Sequence, residues 1–219
     1  MRVLLLGSNE RAAYSIAKSL TKINYTVDVL NDKWHALKYS RFVNFFHIIN
    51  ASFEKATDKA ASELIEYIQS NNYDYLIPVN DTALMICVLF KKQISMFTAI
   101  AFVNEEETHK FCVDKSELLR LCDDLQLPSP RTIHIKTLED INQLENINYP
   151  CIAKPVSSKV YKDGKIFSHT VKKIKNREAL IDFIREKIET VPVMVQEILS
   201  NAYGVGYNFL AQNGQVLNA

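Results

Sequence analysis

The residue with the most chemical content is Lys154, within the run Tyr149-Pro150-Cys151-Ile152-Ala153-Lys154-Pro155-Val156-Ser157-Ser158. Cys151, Ile152 and Ala153 predict a short apolar strand, Pro150 opens it, and Pro155 withholds a backbone donor directly after the lysine. A strongly hydrated ammonium at the end of a buried strand is costly without a partner, so it either snorkels to water or meets an anion. Lys115 poses the same choice. It follows Asp114 at the start of a helical pattern that ends at Leu127-Pro128-Ser129-Pro130. A first-turn lysine opposes the helix macrodipole unless it is simply solvated or a bound phosphate compensates. A third stretch, Val193-Met194-Val195-Gln196-Glu197-Ile198-Leu199, is an apolar strand interrupted by a polar pair. It reads either as an edge strand with a solvated face or as extended backbone offering a carbonyl and an amide to a heterocyclic base.

Taken in this order, the three stretches resemble the ATP-grasp family. There one lysine opens the helix before a Leu-Pro-x-Pro-like turn, a second follows a Tyr-Pro apolar strand, and a hinge strand similar to Val-Gln-Glu-Ile-Leu holds adenine. The resemblance implies that Lys115 and Lys154 hold α- and β-phosphate oxygens and that Ser157 and Ser158 donate from a loop over the phosphates. It also implies that the main chain of Glu197 and Leu199, beside the Gln196 and Glu197 side chains, meets adenine. Among subfamilies, Lys154 to Ser158 and Gln196 to Leu199 with Gly204-Val205-Gly206 look closest to carbamoyl-phosphate-synthetase-like carboxylate-amine ligases. The implied reaction is attack of a carboxylate on the γ-phosphate of ATP, followed by capture of the acyl phosphate by an amine or similar nucleophile.

Two departures from the family pattern bear on this. The loop from Val156 to Lys165 holds one glycine, Gly164, where many members use glycine-rich backbone to fold over phosphates. Its serines and Lys159, Lys162 and Lys165 supply donors and charge, and a charged hairpin is the equal alternative. Past the hinge, where many members carry a ribose-contacting His or Glu, an ungapped reading puts Gly204 or Gly206. The chain is expected to be cut short at Ala219, with the acidic and amide ligands for Mg2+ lying beyond it, so that these residues alone bind nucleotide weakly and turn over little. A non-catalytic nucleotide-sensing module is the rival reading.

Composition constrains partners. Of 219 residues, 47% are hydrophobic and 23% charged, and 26 Lys plus Arg against 25 Asp plus Glu leave a net charge of +1. That balance gives no electrostatic footprint for nucleic acid or an anionic membrane. No apolar run approaches a membrane span, and Met1-Arg2 leads directly into a strand, so a cytoplasmic protein is expected. The expected partners are ATP and a small carboxylate, with a homodimer allowed. Cys87, Cys112, Cys122 and Cys151 have no Cys-x-x-Cys spacing and His35, His47, His109, His134 and His169 do not cluster, so no metal site is read from them.

The elements that must position these groups follow from periodicity. Residues 1–103 alternate strands (2–7, 25–30, 43–49, 74–79, 99–103) with helices (12–22, 53–70, 81–92), which predicts a Rossmann-like parallel α/β sheet preceding the ATP-grasp part. A dinucleotide-binding turn is rejected, because Asn9 and Ala12 stand where the Gly-x-Gly-x-x-Gly pattern needs glycine. That removes the support for an oxidoreductase. Residues 104–135 are read as connecting helices and a strand, with Leu118, Leu119, Leu121, Cys122 and Leu125 as the apolar face of the helix that Lys115 opens. Residues 136–195 form a small α+β unit, and 196–219 the hinge and the start of a second, incomplete one, ending in a hairpin about Asn213-Gly214.

Overall fold

The computed structural model describes residues 1–219 except Phe102, Asn104, Asn213 and Ala219, and for Glu10 and Gln212 the backbone only. The turn expected at Asn213 and the helix start expected at Asn104 therefore lie outside the described residues.

The first part of the chain runs β1 (Arg2–Leu6), α1 (Glu10–Lys22), β2 (Thr26–Asn31), β3 (Phe45–Ile48), α2 (Thr57–Asn71), β4 (Tyr75–Pro78), α3 (Asp81–Leu89), α4 (Lys91–Ile94) and β5 (Ala99–Ile100), with a 3-10 turn at Ala36–Tyr39. The strands form one parallel sheet in the order β3-β2-β1-β4-β5. As the central strand, β1 must be apolar on both sides, and Val3, Leu4, Leu5 and Leu6 are all buried. Val3 and Leu5 pack with Ala13 and Ala17 of α1, whereas Leu4 and Leu6 pack with Leu64 and Ile68 of α2 and Ile86 of α3. α3 is buried on several sides, which explains its unbroken apolar sequence. The helix expected to run from 81 to 92 is interrupted at Phe90, and the one expected from about 53 starts at Thr57, after a turn in which the Thr57 hydroxyl donates to the Phe53 carbonyl at 2.8 Å.

The second part runs α5 (Glu106–Val113), α6 (Lys115–Asp124), β6 (Thr132–Ile135), a 3-10 stretch at Leu138–Asn146, β7 (Cys151–Pro155), β8 (Lys159–Lys162), β9 (Lys165–Ser168), β10 (Lys172–Ile174), α7 (Arg177–Lys187), β11 (Val193–Gln196), β12 (Leu210–Gln212) and β13 (Gln215–Asn218). A four-stranded antiparallel sheet has the order β10-β7-β11-β6. β6, read from sequence as part of the connector, is an edge strand of this sheet. One face is apolar: Ile135, Cys151, Ala153, Ile174, Val193 and Val195 pack on Leu180, Phe183 and Ile184 of α7. Period two then puts Ile152, Lys154, Met194, Gln196 and Thr132 on the opposite face.

Two expectations changed on folding. The predicted apolar face of α6 is largely left outside, with Leu118 55%, Leu121 38% and Leu125 60% exposed. Only Leu119 reaches a cluster, formed with Val156, Val191 and Met194. The hinge strand, expected to reach Leu199, ends at Gln196, and residues 197–209 have no regular structure before the exposed β12–β13 hairpin. Cys87 and Cys151 are buried, Cys122 half-buried and Cys112 exposed, and all four are free thiols.

The parallel sheet also buries a charge network that sequence did not signal. Asp28 is fully buried on β2 and accepts from Arg2 Nε at 2.9 Å and Nη2 at 2.7 Å, Tyr73 Oη at 2.9 Å and Asn44 Nδ2 at 2.9 Å. Arg2 also lies 4.6 Å over the Tyr73 ring. A buried carboxylate so thoroughly bonded is tolerated, but removing it strands its donors. We predict that Asp28→Ala lowers unfolding free energy by roughly 3–5 kcal/mol in urea titration, and a loss below about 1 kcal/mol, the worth of one ordinary hydrogen bond, would contradict this account.

Candidate functional site

Lys154 is the fourth of the five residues of β7, paired with Met194 of β11 and one position past Ala153, the last residue that pairs with β10. Alternation sends Cys151 and Ala153 into the α7 core and leaves Lys154 half-buried on the other face. Its ammonium donates to Gln196 Oε1 at 2.8 Å, and Gln196 Nε2 donates onward to Thr132 Oγ1 at 2.8 Å. Three strands thus contribute one side chain each to a line of polar atoms across this face. Gln196 is held with its amide oxygen toward the lysine, an arrangement in which a neutral acceptor orients the charge without cancelling it.

Lys115 arrives from another direction. Asp114 caps α6, its carboxylate taking the Ser116 amide at 2.7 Å and the Ser116 hydroxyl, so Lys115 is the first residue of the helix. The Lys115 amide donates to the Val156 carbonyl at 2.9 Å, which ties the helix start to the chain leaving β7. Its ammonium lies 3.3 Å from that same carbonyl and 3.2 Å from Ser158 Oγ. The two lysines come close enough to repel: burial first, then the charge of Lys115, pushes the Lys154 pKa below the ordinary lysine value. Burial lowers that of Lys115 too, with Asp114 and Asp81 pulling it part of the way back. Among the described residues neither ammonium has a carboxylate within salt-bridge distance. Because the folded state holds these protons less tightly than the unfolded chain does, the pair subtracts from stability at neutral pH, and the penalty fades as pH rises through the lowered pKa values toward 10.5.

The remaining sequence candidates divide. Ser158 bonds Lys115, as above. Ser157 lines the same cleft, its hydroxyl donating to the Lys159 carbonyl at 2.7 Å. This cleft of about 240 Å³ lies between the parallel-sheet part and the base of the β8–β9 hairpin, and Asp81, His109, Lys115, Ser157, Ser158 and Lys159 supply its polar lining. Glu197 turns back on β6: its amide donates to the Arg131 carbonyl at 3.2 Å and its Oε1 accepts the Arg131 amide at 2.8 Å. That clamp spends the Glu197 side chain on structure and leaves its carbonyl, with the Leu199 amide, outside any hydrogen bond among the described residues. Leu199 is 56% exposed and stands apart from the rest. A cavity of about 50 Å³ next to Gln196 and Glu197 opens on the α7 side through Ile133, Cys151 and Val195, the face away from Lys154, and is too small for a purine. A wider concavity, about 660 Å³, is built by Tyr14, residues 35–37 and residues 39–42 and lies away from both lysines.

Sequence reasoning missed Thr132, which closes the Lys154–Gln196 line, and His109. The His109 ring is buried beside Lys115, its Nε2 is without a partner, and burial lowers its pKa against the opposing pull of Asp81 and Glu106. Neither had a local signal, since each is placed by tertiary packing. Among the described residues, no three His, Cys, Asp or Glu side chains converge to hold a metal ion. At the first βα turn, Asn9 Oδ1 itself accepts the Ala12 amide at 3.3 Å, filling a helix N-terminal donor that a phosphate would otherwise use. No described helix is long and apolar enough to cross a membrane.

No protein-family model matches this chain, and no curated protein does. Solved structures do. The chain resembles an L-amino acid ligase from Bacillus licheniformis over 90% of its own length and 44% of that chain, with TM-score 0.64 and 14% identity. It resembles the biotin carboxylase domain dimer of 2-oxoglutarate carboxylase from Hydrogenobacter thermophilus, a complex with MgADP and bicarbonate, over 91% and 44%, with TM-score 0.62 and 10% identity. A third likeness is to N5-carboxyaminoimidazole synthetase from Staphylococcus aureus complexed with ADP, over 90% and 46%, with TM-score 0.57 and 17% identity. At these identities the likeness is one of fold, and the chain spans under half the length of each. It bears out the α/β fold class expected from sequence, a Rossmann-like parallel sheet followed by an α+β part, whose sheets the structure shows to be antiparallel.

The lysine geometry predicts a separation of stability from binding. Lys154→Met removes a half-buried charge and its repulsion with Lys115 at the cost of one hydrogen bond to Gln196. Its unfolding free energy is expected within about 1 kcal/mol of the parent in urea titration, and a larger loss would mean that Lys154 is held for structure.

Proposed function

We propose that this chain is the nucleotide-binding part of an ATP-dependent ligase that activates a carboxylate for attack by an amine or similar nucleophile. The observation that carries the reading is the pair Lys115 and Lys154, both half-buried and mutually repelling, with no carboxylate paired to either among the described residues. An arrangement that costs stability persists where something else neutralises it, and a polyphosphate is an anion whose charge suits two ammonium groups. In this reading Lys115 and Lys154 hold phosphate oxygens, Gln196 aims Lys154, and Ser158 donates from the loop between β7 and β8, joined by Ser157 once its hydroxyl leaves the Lys159 carbonyl. The unengaged Glu197 carbonyl and Leu199 amide meet the base. When bound, ATP supplies the phosphoryl group that activates the carboxylate. Mg2+ is not given ligands from these residues, and no step is assigned through it. The MgADP and bicarbonate in one structural relative and the ADP in another support the substrate classes proposed here. The division into residues 1–103, 104–135, 136–195 and 196–219 belongs to the same proposal.

Calorimetric titration of ATP and ADP tests it. The chain is expected to bind both, and Lys115→Ala and Lys154→Ala each to weaken binding at least tenfold, as loss of one charge-assisted contact of about 1.5–3 kcal/mol requires. Equal affinity in parent and variants would sink the reading. Binding that survives without Mg2+-dependent ADP formation over a panel of amino acids and small carboxylates supports a nucleotide-sensing module instead.

The lowered lysine pKa values give a pH dependence. Only the ammonium form holds phosphate, so ADP affinity is expected to fall as pH rises, beginning below the ordinary lysine value of 10.5. Lys154→Arg, which stays charged, should move that decline upward in pH. A profile flat to pH 10 in the parent would exclude these lysines as ligands.

A further inference from the structure

The β8–β9 hairpin, read from sequence as either a loop over phosphates or a charged hairpin, has its outer strand and turn lodged against the parallel-sheet part. Ile166 is 4% exposed and belongs to the cluster of Leu4, Leu64, Ile86 and Ile94 at the heart of that part, and Tyr161 packs against the same cluster. Main-chain bonds run both ways: the Ile166 amide donates to the Glu54 carbonyl at 2.8 Å, and the Thr57 amide donates to the Gly164 carbonyl at 2.8 Å. α2 has no side-chain cap, so the hairpin turn answers one of the helix's orphan donors. Gly164 has φ +74, and an added Cβ would come within 3.3 Å of the Asp58 carboxylate, so the turn fits α2 closely. Side chains complete the joint. Glu54 Oε1 accepts from Lys159 Nζ at 2.6 Å, Ser168 Oγ at 2.8 Å and Thr82 Oγ1 at 3.3 Å, and Tyr161 Oη donates to Asp58 at 2.6 Å.

From this interface we infer that the β8–β9 hairpin is a clasp fastening the antiparallel-sheet part to the parallel-sheet part, with Glu54 and Ile166 as its catch. A strand whose central apolar side chain fills another layer's core is not free to fold over a ligand. Lys159, committed to Glu54, is withdrawn from any phosphate. The immobile hairpin instead fixes its own base, where Ser158 meets Lys115, and so acts as a positioning element for the candidate site. The inference stands on packing and does not require nucleotide to bind.

Limited trypsin digestion of the full chain tests it, because cleavage of Lys165–Ile166 requires the hairpin to leave the core. In the parent that bond is expected to be cut slowly. Ile166→Ala and, separately, Glu54→Gln should each speed its cleavage at least tenfold while sites in α1, Lys18 and Lys22, keep the parent rate. The clasp is overturned if the parent is cut at Lys165 as fast as an unstructured peptide, or if Glu54→Gln changes nothing and Ile166→Ala speeds every site together. It is overturned too if ATP, with binding verified by calorimetry, speeds cleavage at Lys165 in the parent, the behaviour of a mobile cover. A chain that binds no ATP and still protects this bond sinks the ligase reading and upholds the clasp.

Discussion

Two like charges held near one another are the constraint around which the antiparallel sheet is arranged. Lys154 projects from an interior strand and Lys115 from a helix start, and the structure gives each a neutral oxygen, Gln196 Oε1 or Ser158 Oγ, in place of a counter-ion. Neutral acceptors orient an ammonium while leaving its charge available. The cost appears as lowered proton affinity in both groups, chiefly because burial disfavours the charged form.

The sheet tolerates this because its two faces do different work. On one, six strand residues and α7 form a dry core. On the other, Met194 is fully buried with Val156, Val191 and Leu119 around it, and Lys154, Gln196 and Thr132 stand beside the half-buried Ile152. The apolar face supplies the stability that the polar face spends, and pairing with β10 and β11 on both edges keeps β7 in place.

What sequence revealed and what it hid follow from the range of the interactions. The unbroken run from Val3 to Leu6 and the helical periodicities after it predict the parallel sheet, because local pattern determines which faces must be covered. The Tyr-Pro run and the Leu-Pro-Ser-Pro turn single out the two lysines only through their resemblance to a family pattern, since taken alone each lysine also reads as a solvated side chain. Invisible were pairings across long separations: Lys154 with Gln196, Gln196 with Thr132, and above all Glu54 with Lys159, 105 positions apart. The α6 face was misjudged because periodicity identifies an apolar stripe without saying what covers it, and the structure leaves Leu118, Leu121 and Leu125 out. The hinge strand was drawn too long since Glu197, extended in pattern, is diverted by its clamp on Arg131.

The placement of Lys154 has one more consequence, for how the chain finds its own alignment. A strand as short as β7 has few side chains with which to choose among offsets, and small residues such as Ala153 discriminate weakly. Sliding β7 by a single position against β11 would drive the ammonium into the oily layer beneath α7 and bring Cys151 and Ala153 out to water. The group that makes the sheet chemically interesting is thus also the one that forbids its nearest misalignment, so that replacing it with an aliphatic side chain would relax the proofreading of strand pairing even where the final fold survives.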